Sequence, residues 1–229
     1  MKKKPAIDDL LKVMAKLRSP KGCPWDREQS HLTLRRHAIE EVYELIDAIE
    51  TGDDHEMAEE LGDVLLQVVF HCQLATERGA FDFEKVCRVL VDKLIRRHPH
   101  VFGTTKVANV DEVWANWEKI KRGEKSGTHR ERKSAFDGIP KHLPALLRAE
   151  KLLKKARKVK LVAEGEKSKR KLSRAAVAKE LFELASFAQA HGWCAEELLA
   201  GELKKRERQL RKREKVGESA GKRGIPIYG

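Results

Sequence analysis

The stretch from Ile39 to Phe70, IEEVYELIDAIETGDDHEMAEELGDVLLQVVF, sets the strongest constraint on how this chain can fold. It reads as two amphipathic helices joined by Thr51-Gly52-Asp53-Asp54, because Gly and Asp interrupt a helical pattern and Asp caps the helix that follows. Glu41 and Glu44 stand three apart on the first helix, and Glu60 and Asp63 three apart on the second, so each pair shares a face. The cross pairs 41 with 63 and 44 with 60 are both centred on Gly52. An antiparallel hairpin folded there brings four carboxylates together, roughly 12 to 17 Å from the turn at 1.5 Å rise per residue.

Four negative charges in a partly dry bundle repel one another. They are tolerated if their pKa values rise or if a divalent cation neutralises them, and all-oxygen ligation selects Mg²⁺, with Mn²⁺ as the second choice. Acid pairs at this spacing also occur on plainly solvated helix faces. Two details favour the metal. Leu34, Ala38, Glu41, Leu45 and Ala48 form one 4-3-4-3 line, which puts Glu41 where a core residue belongs. Asp63 lies inside the apolar run Leu61-Gly62-Asp63-Val64-Leu65-Leu66, where an uncompensated carboxylate is costly to bury. Gly62, a poor helix former, leaves room for a ligand or a neighbouring helix.

Glu40-Glu41-x-x-Glu44, fifteen intervening residues, then Glu60-x-x-Asp63 resembles the EExxE…ExxD signature of the MazG nucleoside triphosphate pyrophosphohydrolases. Upstream, Gly22-Cys23-Pro24-Trp25-Asp26-Arg27-Glu28-Gln29 is similar to that family's opening block, and Asp92-Lys93-Leu94-Ile95-Arg96-Arg97-His98-Pro99-His100-Val101-Phe102 to its closing block. The resemblance is close over residues 7 to 103 and looser to about residue 155. It implies an all-α fold, a dimer or higher assembly, and cleavage of nucleoside or deoxynucleoside triphosphates between the α and β phosphates.

Charge is unevenly distributed. Residues 1 to 100 carry 16 Lys/Arg against 19 Asp/Glu, whereas the whole chain has a net charge of +12, so the second half is strongly basic. Such a surface either binds nucleic acid through phosphates or is a solvated helical face; Glu interleaved with the Lys/Arg and sparse aromatic residues favour the solvated face. The four cysteines show no CxxC pairing, no apolar run approaches 18 residues, and the start lacks a signal-peptide pattern. These features point to a cytoplasmic protein without a membrane span.

In order, the pattern predicts helices over 7 to 17, 28 to 50, 54 to 78, 81 to 97, 109 to 121, 145 to 159, 177 to 190 and 193 to 215, with a loop at Cys23-Pro24-Trp25-Asp26, a flexible linker over 123 to 129 and a frayed tail over 217 to 229. The expected architecture is all-α: a MazG-like catalytic helical domain over 1–106, a helical connector and linker over 107–144, and a basic helical region over 145–229. The last looks like a second, degenerate MazG repeat. Lys167 to Arg174 holds no acid, and Lys179-Glu180-Leu181-Phe182-Glu183 stands where ExxD would be. Such a repeat cannot hold a metal and is expected to serve as a packing or dimer surface.

The site expected from these readings has Glu41, Glu44, Glu60 and Asp63 as metal ligands and Glu40 beside them to orient or deprotonate water. Lys93 and Arg97, four apart on one helix side, either complement the helix dipole or hold the triphosphate, and the resemblance favours the second role. Trp25 is open between a core plug and a platform for the base. His98 and His100 lack further His or Cys at zinc spacing. Two readings of other classes stand beside the hydrolase: a nucleic-acid binding protein using the basic half, and a catalytically silent helical regulator.

Overall fold

The computed structural model describes residues 5–124, 127–128, 131, 133–162 and 172–221. The chain divides into two compact units, Met1–Ile120 and Lys121–Gly229. Among the described residues all regular structure is helical, and no helix is long and apolar enough to cross a membrane.

The first unit contains α1 (Ala6–Leu17), α2 (Pro24–Glu28), a 3₁₀ turn (Thr33–Arg35), α3 (His37–Thr51), α4 (Asp54–Glu77), α5 (Phe83–Arg97), α6 (Pro99–Phe102) and all but the last turn of α7 (Val110–Gly123). Two expectations are corrected here. Cys23 to Asp26 is not a plain loop: Pro24 sits at the first position of α2, where its missing N–H costs nothing. The first carboxylate helix begins at His37 rather than Glu28. Gln29 is extended, and Ser30 and Thr33 bond each other reciprocally, Ser30 N–H donating to Thr33 Oγ1 at 2.9 Å and Thr33 N–H to Ser30 Oγ at 3.2 Å. Side chains that bond nearby backbone in this way compete with the helix.

The α3–α4 turn follows the sequence closely. Gly52 ends α3 in the left-handed region at φ 74°, and the Asp53 carboxylate caps α4 by accepting from the N–H of His55 at 2.8 Å and of Glu56 at 3.2 Å. At the far end of α4, Gly79 N–H donates to Thr76 O and Ala80 N–H to Ala75 O, both at 2.9 Å, which is the Schellman closure.

Met14, Leu34, Val69 and Phe70 form the core of this unit, with Ile7, Leu10, Leu11, Leu66, Leu74 and Phe83 packed around them. Arg18 fastens its lower end. Its guanidinium donates to both Glu77 oxygens at 2.7 Å and to the backbone carbonyls of Asp26 and Gln29, and stands 5.5 Å from the Phe70 ring centroid. One cation thus ties α1, α2 and α4 together.

The second unit contains α8 (Ala145–Lys158), α9 (Arg174–Ala190) and α10 (Ala195–Gly221). Phe136, Ala145, Leu152, Ala156, Leu203 and Leu210 make its core. Three of its acids are partly buried and paired: Glu207 accepts from Arg148 at 2.7 Å and Arg211 at 2.8 Å, Asp137 from Arg211 at 2.7 Å, and Glu214 from Ser134 Oγ at 2.5 Å. By contrast α9 buries only Ala188 within its unit. The frayed tail is corrected in part, since α10 runs through Gly221; residues 222–229 lie outside the described residues, as do Lys125, Ser126 and His129 of the predicted linker and most of the basic run from Lys167.

Candidate active site

The acids reach the site because α3 and α4 pack antiparallel on either side of Gly52. Leu34 and Ala48, the two ends of the 4-3-4-3 line, are buried, and Glu41 between them is half-buried. Glu41, Glu60 and Asp63 each offer a carboxylate oxygen within 4.8 Å of the others. Glu44 lies outside this trio and is exposed, but its charge reaches both Glu41 and Glu60.

Electrostatics reflect the crowding. Loss of solvent around Glu41 raises its pKa above the ordinary carboxylate value; a hydrogen bond from Gln67 pulls it down, and the charges of Asp63 and Glu44 push it up again. Glu60 is raised in the same way, by desolvation and then by Glu44, Asp63 and Glu41. The strongest neighbouring carboxylate is Asp63 for Glu41 and Glu44 for Glu60, the pairing expected from a turn centred on Gly52.

The donor set fits a hard divalent cation. Glu60 Oε2 and Gln67 Oε1 are buried acceptors without a hydrogen-bond donor, and acceptors of that kind beside clustered carboxylates suit a positive ligand or its hydration water. Gly62 faces open space, since a Cβ there would meet nothing within 4 Å. Close approach of a neighbouring helix is therefore not why a glycine stands at this position.

Of the remaining predicted residues, Glu40 shares α3 with Glu41, Trp25 stands on α2, and Lys93 and Arg97 stand on α5. Glu40 is exposed, with its carboxylate 3.2 Å from His37 Nδ1. Trp25, on α2, is 52% exposed and meets the His37 ring edge-on with centroids 5.9 Å apart. His37 also acts electrostatically on Glu41, so the indole stands near the acid-bearing face rather than in the core. Lys93 and Arg97 lie on α5, with the Arg97 guanidinium 5.3 Å from the Trp117 ring centroid.

Two features escaped the sequence reading. Gln67 donates from Nε2 to Glu41 Oε1 at 3.1 Å; its signal was the one amide in Leu65-Leu66-Gln67-Val68-Val69, four residues after Asp63. His31 and His71 stack with centroids 5.0 Å apart and share an Nδ1···Nδ1 hydrogen bond of 2.8 Å. Forty residues separate them, and nothing in the local pattern joins them.

Residues 29–102 match the MazG nucleotide pyrophosphohydrolase domain. The region so matched is all-α among the described residues. Over these residues the chain is similar to the MazG family. It is 48% identical over 154 residues to a nucleoside triphosphate pyrophosphohydrolase of Escherichia coli K12, covering 67% of this chain and 58% of the relative. It is 49% identical over 153 residues to the nucleoside triphosphate pyrophosphohydrolase/pyrophosphatase MazG of Thermotoga maritima, covering 67% and 57%. This chain therefore spans less than two thirds of the length of these relatives. A solved mazG-related protein from Thermotoga maritima aligns with a TM-score of 0.43 at 27% identity, over 50% of this chain and 97% of that one.

Proposed function

We propose that this protein hydrolyses nucleoside or deoxynucleoside triphosphates to the monophosphate and pyrophosphate, with Mg²⁺ or Mn²⁺ held by Glu41, Glu44, Glu60 and Asp63. The observation that carries the reading is the approach of Glu41, Glu60 and Asp63 to within 4.8 Å of one another. The names of the relatives point to the same reaction. When bound, the ion would neutralise phosphate charge and acidify a coordinated water.

The protein's own groups supply the rest. Water oxygen attacks the α phosphorus, the bond from it to the α–β bridging oxygen breaks, and pyrophosphate leaves with that oxygen. Glu40, exposed and adjacent to the ligands, takes the proton from the water. Lys93 and Arg97 offset charge on the departing pyrophosphate, and Trp25 stacks against the base. A second copy of the chain covers apolar residues that α3 leaves in water, among them Ile39, Tyr43 and Ile49, giving a homodimer in the cytoplasm.

Pyrophosphate release from mixed dNTPs, with and without Mg²⁺, tests the reaction, and Glu41→Gln tests the site. Metal-dependent release that the substitution abolishes, with the helical fold intact, is the expected result. Release that persists unchanged in Glu41→Gln refutes the ligand set. No release from any triphosphate, together with salt-dependent retention of nucleic acid, favours the binding-protein reading.

A further inference from the structure

We propose that Gln67 is a positioning residue of the cation site, holding Glu41 in ligating orientation through Nε2 and accepting a hydrogen bond from hydration water of the ion through Oε1. The inference rests on reading the acid cluster as a cation site. Gln67 lies on α4, seven residues after Glu60 and four after Asp63, so it rises on the same helix face as both. It is 8% exposed, a polar side chain almost wholly enclosed on the apolar half of the hairpin.

The geometry fixes which way the amide points. An ionised carboxylate only accepts, so the 3.1 Å contact to Glu41 Oε1 must be made by the amide nitrogen. The amide oxygen on the same planar group is then committed to the other side, where it is buried and has no donor. Buried acceptors are seldom left so. Glu60 Oε2, a second buried acceptor of this site, is in the same condition. A hydrated cation between the acids meets both needs, bonding to the carboxylate oxygen directly and presenting a water proton to the amide. Freed from Gln67, Glu41 is a long side chain repelled by Asp63 and Glu44 and able to exchange among rotamers. Outer partners that orient ligating carboxylates typically carry a 10- to 100-fold effect on metal affinity.

The test is Mn²⁺ binding to the full chain without substrate, by calorimetry or by loss of the free-ion paramagnetic resonance signal. Gln67→Met keeps length and apolar packing but has neither donor nor strong acceptor, and should weaken Mn²⁺ binding about 10- to 100-fold. Turnover in that variant should return toward wild type when Mn²⁺ is raised by the same factor. Gln67→Asn, one methylene too short to reach Glu41, should behave likewise and serves if Gln67→Met does not fold. Unchanged Mn²⁺ affinity in a folded variant overturns the proposal. So does turnover that stays low at saturating Mn²⁺, or a melting temperature lowered equally with and without the ion. If wild type itself takes up no Mn²⁺, the cation-site reading fails first and this inference with it; if wild type binds and the variants bind equally, only the role of Gln67 is lost.

Discussion

Replacing Asp63 by Asn should stabilise the metal-free protein and abolish its stabilisation by Mg²⁺, two effects of opposite sign from one atom pair. In the hairpin an Asp63 oxygen and a Glu41 oxygen lie within 4.8 Å. At an effective dielectric of about 20, two unit charges at that distance repel by roughly 3.5 kcal/mol. Both side chains are only half-buried, so water and salt reduce this to about 1 kcal/mol. Asn matches Asp in shape and removes the charge, so the apo form should gain about 1 kcal/mol, or roughly 4 °C in melting temperature for a unit of this size. With the ion the sign reverses. At a Mg²⁺ concentration 100 times its dissociation constant, wild type should gain about 2.7 kcal/mol by mass action, and Asp63→Asn should gain little. Thermal melts of both proteins, with chelator and with Mg²⁺, read all four values. An Asp63→Asn protein that is less stable than wild type without metal, yet rises as much with it, refutes the view that these carboxylates crowd around a cation.

Two other consequences are open to measurement. Arg18→Met leaves Glu77 without its bidentate partner and takes a donor from the backbone carbonyls of Asp26 and Gln29, and Glu77 is about a third exposed; a loss of roughly 2 to 3 kcal/mol in urea unfolding is expected, and a loss below 0.5 kcal/mol contradicts the tie between α1, α2 and α4. The His71 pKa is lowered from its ordinary value of about 6.5 by burial and then by His31. A depressed histidine makes the unfolded chain take up its proton first, so this contribution is complete above about pH 6.5 and is lost as the pH falls through the folded value. The double variant His31→Phe/His71→Phe should flatten the loss of stability between pH 7 and 5 relative to wild type; an identical slope removes the pair from the acid response. Comparing the two proteins cancels the opposite trend from Glu41 and Glu60, whose raised pKa values favour the folded state at low pH.

Much of the first unit could be read in the sequence because its determinants are local. Gly52, Asp53 and Gly79 act within a few residues of where they stand, and 3.6-residue periodicity carries α1, α4 and α5 directly. The hairpin register followed from the spacing of four acids alone. The boundary of α3 did not, since apolar periodicity continues through Leu32 and Leu34 and hides the Ser30–Thr33 exchange that holds this stretch off the helix. Nor did the separation of Glu44 from the other three. Residues three apart on a helix are turned about 60° from alignment, so one member of a pair can face the partner helix while the other looks past it. Arg18 with Glu77, and His31 with His71, join positions 59 and 40 residues apart, and no periodicity records a contact made by the ends of two long side chains.

Every proposed ligand lies between two caps of one helical hairpin, and the span from His37 to Glu77 is continuous in sequence. Bringing these acids together therefore costs the closure of a single short loop, not the docking of distant segments. Such a site assembles early as the chain collapses and travels as one piece, so other helical scaffolds could receive it whole.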